Sequence, residues 1–387
     1  MVGAQYPMGI LLTWLLMSSL ARTASPPPAS VWIGTAPLCA ARQEDCDVLG
    51  LTYVHSDASG DGLPCLSGAK VLCAVPKIRL EPAQADRVAR LTVVQYNIMD
   101  RPFWVSHDGQ RERVCRIPQA LARSIALQEP VDIIVFNESF SGVCAKDLKL
   151  TDLLTYYGWS HHLPTISTWW KPSNGGIFIA SKWPILASQH LVFAACQSSD
   201  CLAAKGVQYA RIEKMVDGRT KRYHVFGTHL QAWGGAKAAA LRRRQALEMA
   251  EFVERQGIPA TEPVLLSGDF NTHGPSGQHF QELVDILKVS LPPLVGDRRA
   301  SMDVDNSLFR RGPWWVDYVL PSAMHQRPLH ASLEAVALRA DKEFAICFEA
   351  KLQPYYVGPY APTCTKTVQV RDLSDHYPVI GRFEYAD

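Results

Sequence analysis

Six short stretches of this 387-residue chain carry side chains that bind hard cations, orient phosphate or move protons. They are Gln95-Tyr96-Asn97, Asn137-Glu138-Ser139, Thr228-His229-Leu230, Gly268-Asp269-Phe270-Asn271, Val316-Asp317-Tyr318 and Ser374-Asp375-His376-Tyr377-Pro378. Glu138 offers a carboxylate oxygen, and Asp269 and Asn271 offer two further oxygen donors close together, a set that suits Mg2+ and not Zn2+. A divalent ion on oxygen ligands points to phosphoryl chemistry. In-line attack on phosphorus also needs one group to take a proton from water and another to stabilise charge on the phosphoryl oxygens. His229 and His376 are available for these tasks, and composition alone assigns neither role. Any one stretch is a weak signal; the ordered set at the ends of strand-like runs is a strong one. Plainer readings stand beside it: Asp317 as a buried strand-end carboxylate with a structural partner, Asn97 as a turn cap. Asn137-Glu138-Ser139 also spells a glycosylation sequon, but a glycan beside the expected metal ligand would block the site, so modification there is not expected.

Such groups have to be positioned by strands. Short β-branched runs recur from about Leu91: Leu91-Thr92-Val93-Val94, Asp132-Ile133-Ile134-Val135-Phe136, Gly176-Ile177-Phe178-Ile179 and Tyr223-His224-Val225-Phe226. Further strands are expected at Pro263–Leu266, Trp315–Leu320 and Tyr377–Phe383. Helical patterns lie between them at Pro118–Gln128, with proline in the first turn, and at Ala236–Gln256, with Ala238, Leu241, Met249 and Phe252 on one side. Too many strands for one small sheet, interleaved with helices, predict two packed sheets flanked by helices. The run Arg242-Arg243-Arg244 reads as a solvated helix face, because consecutive helical side chains diverge by about 100° and cannot form one patch.

Lys and Arg number 39 against 37 Asp and Glu, a formal net charge of +2. That leaves no electrostatic surplus for holding a polyanion, so a dedicated duplex-DNA binder is disfavoured and no stable nucleic-acid partner is expected. A hydrophobic content of 47% is too high for a disordered chain. Met1–Ala21 contains no Asp, Glu, Lys or Arg, and Met8–Leu20 is an apolar run of signal-peptide length followed by small-residue cleavage patterns. Residues 1–21 therefore read as a secretory signal, although without a basic n-region, and an uncleaved anchor is the alternative. The mature chain is expected to be extracellular, with no transmembrane span. None of the ten cysteines sits in a CxxC spacing, so they read as disulfides. Neighbouring pairs suggest Cys39–Cys46 or Cys39–Cys73 with the remaining partners, then Cys115–Cys144, Cys196–Cys201 and Cys347–Cys364, with connectivity left open. Residues 31–80, with four of the cysteines, look like a small stapled segment ahead of the main domain.

Over about residues 88–387 the six stretches resemble, in order, the exonuclease/endonuclease/phosphatase (deoxyribonuclease I-like) superfamily. Within it, four longer pieces are similar to the secreted bacterial-type neutral sphingomyelinases, the sphingomyelinase C branch. These are Gly175-Gly176-Ile177 running into Ser181-Lys182-Trp183-Pro184-Ile185, Val192-Phe193-Ala194, Lys205-Gly206-Val207, and Gly227-Thr228-His229-Leu230-Gln231-Ala232. The resemblance implies an α+β fold, a four-layer αββα sandwich of two mixed β-sheets flanked by helices, preceded by the Cys-rich segment and carrying a Mg2+ site at one edge. It implies Glu138 as the principal Mg2+ ligand, with Asn97, Asp269 and Asn271 orienting phosphate or holding a second metal. His376 is implied as general base and counted with the metal set; His229 would stabilise the transition state. Asp317 would orient an imidazole, and Asp375 would help to position His376. Mn2+ and Co2+ are the expected substitutes for Mg2+, with one or two ions bound.

The same resemblance implies sphingomyelin in membranes as substrate, hydrolysed to ceramide and phosphocholine. Leu352–Pro362, bracketed by Cys347 and Cys364, is similar to an aromatic hairpin that dips into the bilayer, with Tyr355, Tyr356 and Tyr360 as contacts. Trp169-Trp170 is a second candidate for lipid contact, against burial in the core. Trp233 and Tyr318 are near enough to the motifs to be considered for a quaternary ammonium. The alternatives are a secreted deoxyribonuclease-like phosphodiesterase, whose binding would weaken steeply with salt, and a catalytically inert lipid-binding module.

Overall fold

A computed structural model describes residues 30–78, 85–145, 147–274, 277–350 and 364–387. The expected signal at 1–21 and the tyrosines Tyr355, Tyr356 and Tyr360 lie outside the described residues. Side chains alternate across a strand, and here both faces are apolar. In the Arg90–Asp100 strand Leu91 and Val93 pack with Ile133 and Val135 against Val207, Val225, Leu265 and Val319 of a second sheet. Val94, Tyr96 and Ile98 face the other way, with Ile134 and Phe136, onto Ile117, Leu121, Leu153 and Leu154. A sheet covered on both faces reads as an unbroken apolar run, which is why these strands stood out in the sequence.

The seven-stranded sheet has the order Leu294–Val295, His330–Ala335, Val379–Glu384, Arg90–Asp100, Ile133–Ser139, Phe178–Ser181, His161–His162. The five-stranded sheet runs Ile185–Val192, Gly206–Val216, Arg219–His229, Val264–Asp269, Asp317–Pro321. Both mix parallel and antiparallel pairs. The helices Ala236–Arg255 and Gln278–Leu287 cover the outer face of the second sheet through Ala246, Met249, Phe252, Phe280 and Leu283. Helices Ile117–Leu121 and Leu150–Tyr156 cover the first. The result is the expected αββα sandwich. The Pro118–Gln128 pattern divides into the short α-helix Ile117–Leu121 and a π-helical turn, Ala122–Ala126. In the long helix Arg243 and Arg244 are solvated as expected, but Arg242 is buried and donates to the Gln231 and Trp233 carbonyls.

The first described residues form a four-stranded sheet of Ser30–Ile33, Leu38–Ala40, Thr52–Asp57 and Ser67–Ala74. Its disulfides are Cys39–Cys65 and Cys46–Cys73, neither of the pairings expected for Cys39. The reason is the parallel register of Leu38–Ala40 on Ser67–Ala69, which sets Cys39 beside the residues leading into the longer strand. Cys115–Cys144, Cys196–Cys201 and Cys347–Cys364 are paired as expected. The last of these staples the Arg339–Ala350 and Cys364–Asp372 strands, which form an antiparallel hairpin stem.

Candidate active site

Chain direction explains how distant residues meet. Arg90–Asp100 is parallel to Ile133–Ser139, and Arg219–His229 is parallel to Val264–Asp269, so Asn97, Glu138, His229 and Asp269 share one end of the sandwich. Asp317–Pro321 and Val379–Glu384 run antiparallel to their neighbours, with Asp317 opposite Asp269 and Val379 opposite Gln95. Asp317 and the Asp375-His376 pair thus sit at strand starts, not at ends as the linear pattern suggested, and the reversal brings them to the same edge. Along the inward-facing positions apolar residues give way to polar ones: Leu91, Val93, Gln95, Asn97 on one strand, Ile133, Val135, Asn137 on the next. Glu138 falls on the opposite parity and is re-aimed by a left-handed backbone, φ 53°; Asn271 has φ 48°. Such conformations cost about 1–3 kcal/mol each for non-glycine residues and concentrate at functional sites.

The groups converge on the floor of a cleft of about 820 Å³ lined by Glu138, Lys205, His229, Asp269, Asn271 and His376 among others. His376 donates from Nδ1 to Asp317 Oδ2 at 2.7 Å, leaving Nε2 at 3.9 Å from Asp269 Oδ2 and 4.0 Å from Asp375 Oδ1. Asp317 also accepts from Gln95 Nε2 at 3.3 Å. Asn97 bridges the carboxylates, donating from Nδ2 to Asp269 Oδ2 at 3.1 Å and to Glu138 Oε1 at 3.3 Å, while its own oxygen accepts from the Met99 N–H. Asn97 therefore both caps a turn and spaces the carboxylates. Asn271 donates from its backbone to Asp269 Oδ1 and from its side chain to the Leu230 carbonyl. His229 Nε2 is 3.5 Å from Asp269 Oδ2 and 3.2 Å from Lys205 Nζ, and its buried Nδ1 has no hydrogen-bond partner among the described residues. Among the described residues, ligand atoms of Asp269, Asp317 and His376 all lie within 4.8 Å of one another.

Several residues without a sequence-assigned role build this geometry. Asn137 is fully buried, accepting from Gln95 Nε2 and the Asp269 N–H and donating to the Thr228 carbonyl, so its sequon is inaccessible. Buried Arg113 clamps the Ile98 and Met99 carbonyls to that of Leu373, and Ser374 Oγ donates to the Asn97 carbonyl at 2.7 Å, pinning the His376 loop to the strand end. Lys205 Nζ donates to Asp200 Oδ2 at 2.9 Å, and Arg101 Nε faces Glu138 Oε2 at 3.9 Å. The Gln95 and Asn137 roles were foreshadowed by their inward parity. Nothing local marks Asp200 or Arg113. Of the aromatic candidates for a cation, Trp233 lines the cleft, whereas Tyr318 is fully buried and donates to the Thr272 and Trp315 carbonyls.

Burial sets the electrostatics. It pushes the Glu138 carboxyl above its usual range, with nearby Asp375 adding to the effect, and pushes Asp269 up to about 7 with help from Asp317. His229 is driven well down by burial, Lys205 and His376. Burial also disfavours charge on His376, but Asp317, then Asp375 and Asp269, outweigh it and raise the imidazole to about 10. A cluster of buried oxygens that binds protons this tightly is a fitting donor set for a hard divalent cation.

Residues 108–376 match the Endonuclease/Exonuclease/phosphatase family, and the chain belongs to that family. Among curated relatives, a sphingomyelinase C from Leptospira interrogans is 32% identical over 363 residues, 86% of this chain, and the chain spans 58% of that relative's length. A sphingomyelinase C structure from Streptomyces griseocarneus superposes with a TM-score of 0.63 at 24% identity, covering 76% of this chain and 99% of that one. A variant beta toxin from Staphylococcus aureus, solved with bound magnesium ions, gives 0.62 at 23% identity over 77% of this chain and 99% of that one.

Proposed function

We propose that this chain is a secreted, Mg2+-dependent sphingomyelin phosphodiesterase that releases ceramide and phosphocholine, with residues 88–387 as its catalytic unit. The observation that carries the reading is the Asp317-bonded His376 beside the half-buried Glu138 and the buried Asn97 and Asp269 on the cleft floor. Similarity to a sphingomyelinase C along 86% of the chain supports this choice of substrate. Glu138 is the principal residue to hold Mg2+, with Asp269 and Asn271 nearby, and a bound cation would polarise a phosphoryl oxygen and neutralise charge at this site. Asp317 fixes the tautomer and direction of His376, and a cation held beside it would offset the carboxylate charge that raises the imidazole to about 10, freeing Nε2 to take a proton from the attacking water. His229 is kept neutral by burial and accepts at Nε2 from Lys205, and together the pair brings positive charge to the phosphoryl oxygens in the transition state. Ceramide leaves as an alcohol and phosphocholine retains the new P–O bond. Asp375, bonded to neither ring nitrogen, acts on His376 through its charge.

The test is phosphocholine release from sphingomyelin-containing vesicles by the oxidised protein, with EDTA, with Mg2+ restored, and beside a plasmid-DNA control. Release abolished by EDTA and restored by Mg2+, with intact DNA, is the expected result. Degraded DNA with silent vesicles would transfer the same site to a nuclease, and silence on every phosphodiester with retained vesicle binding would leave an inert lipid-binding module.

A further inference from the structure

Tryptophan is distributed unevenly over the described surface. Trp104, Trp233 and Trp314 line the cleft, and Trp104 and Trp233 are 54% and 64% exposed. Trp169 and Trp170 are 92% and 57% exposed and meet edge to face with ring centroids 5.6 Å apart. The core alternative for this pair is thereby excluded. The pair stands on a rigid shelf: Lys171 Nζ donates to the Cys201 carbonyl at 2.8 Å, Ser173 and Leu202 pair through their backbones, and Cys196–Cys201 closes the adjoining loop. At Gly175 a Cβ would fall 2.3 Å from the Ala204 carbonyl oxygen, so the shelf and its neighbour are in direct backbone contact. Ser173, Leu202 and Ala203 of this shelf also form one wall of the cleft.

We infer that the Trp169-Trp170 shelf, continuous with the cleft wall, is a surface that docks on a zwitterionic choline-lipid bilayer. The inference rests on the lipid-phosphodiesterase reading. Exposing a large apolar ring to water is unfavourable, whereas the indole combines an apolar body with an N–H suited to the headgroup level. Tying the segment that carries the rings to a disulfide-closed neighbouring loop limits the ordering entropy that docking must overcome. A formal charge of +2 provides little attraction for an anionic surface, which favours a zwitterionic one. The shelf also brings the bilayer to the cleft mouth, where the headgroup of a membrane-resident substrate has to enter. This surface lies on the chain well before the Cys347–Cys364 disulfide.

The experiment compares the disulfide-intact protein with Trp169→Ala/Trp170→Ala in co-sedimentation with phosphatidylcholine, sphingomyelin and cholesterol vesicles in EDTA, so that binding is read without turnover. The double variant is expected to lose about tenfold or more in vesicle affinity, with little dependence on added salt. Its loss of turnover on vesicles should exceed any loss on a soluble short-chain sphingomyelin by a similar factor. Met324→Ser, an exposed apolar residue that does not line the cleft, is the control and should bind as the parent does. Unchanged vesicle affinity in the double variant, or an equal loss in the Met324 control, overturns the docking surface. If the parent binds vesicles through the tryptophans but hydrolyses neither substrate, the docking surface stands and the activity reading fails.

Discussion

At the scale of single residues, the site is a set of buried charges held in unfavourable states by their neighbours. Glu138 combines a left-handed backbone with a carboxyl raised by burial, two costs that a purely structural carboxylate would have no reason to carry. Glu138→Gln keeps the size of the side chain and an oxygen for Asn97 but removes the charge. It should lower kcat by about 10²–10³-fold at saturating Mg2+, while thermal unfolding stays close to the parent; full activity would remove Glu138 from the metal role. Asp317 is completely buried and makes the shortest bond to His376. Asp317→Asn preserves the shape yet offers an amide that no longer selects the productive tautomer, so kcat should fall by about 10³–10⁴-fold. Because the two residues act as one unit, the Asp317→Asn/His376→Ala double variant should be little worse than the poorer single variant. Multiplying losses in steady-state kinetics would mean that Asp317 acts elsewhere.

At the scale of elements, strand direction and spacing decide whether those residues meet. The β-branched runs and their polar ends were legible because sheets buried on both faces need apolar residues at almost every position. The linear pattern could not show that Asp317 and His376 begin antiparallel strands, since direction depends on long-range pairing. Nor could it show Arg113 tying Ile98 and Met99 to Leu373, or the Cys39–Cys65 link, because each joins segments that local periodicity does not relate. Gly268 illustrates a constraint visible only in the pairing. It lies on the Val264–Asp269 strand opposite Thr228 of the parallel strand that ends at His229, and a Cβ there would approach the Thr228 carbonyl oxygen to 2.1 Å. Gly268→Ala must push those strands apart, at an expected cost of about 1–3 kcal/mol in urea unfolding, with a larger proportional loss in kcat than the change in stability alone produces. Wild-type stability in that variant would show that the strands have slack.

Across the whole molecule, the sandwich has a chemical end and a stapled end. Opposite the cleft, fully buried Lys214 of the second sheet reaches Asp132 at the start of a first-sheet strand at 2.8 Å and Asp86 in the entering chain at 2.6 Å. Lys182 pairs with the same Asp86 at 2.9 Å, and Trp183 donates from its indole to Asp132. This network holds the two sheets together where no opening is needed, leaving the other end free to carry the cleft. Burial opposes charge on Asp86, but its bonds to Lys214 and Lys182 outweigh that and hold the carboxyl below its ordinary 3.8. A carboxyl depressed in the folded state contributes stability above its unfolded value and loses it as pH falls through the lower folded value. Asp86→Asn should therefore destabilise the protein near neutral pH, by less than the about 3–5 kcal/mol of stripping a buried charge of its partner, because Lys214 retains Asp132. The gap between variant and parent in urea midpoints should close as pH falls below about 3.8, where the parent's carboxyl also becomes neutral. A gap that persists unchanged into acid would mean that Asp86 holds the sheets through packing and neutral hydrogen bonds, with its charge contributing nothing.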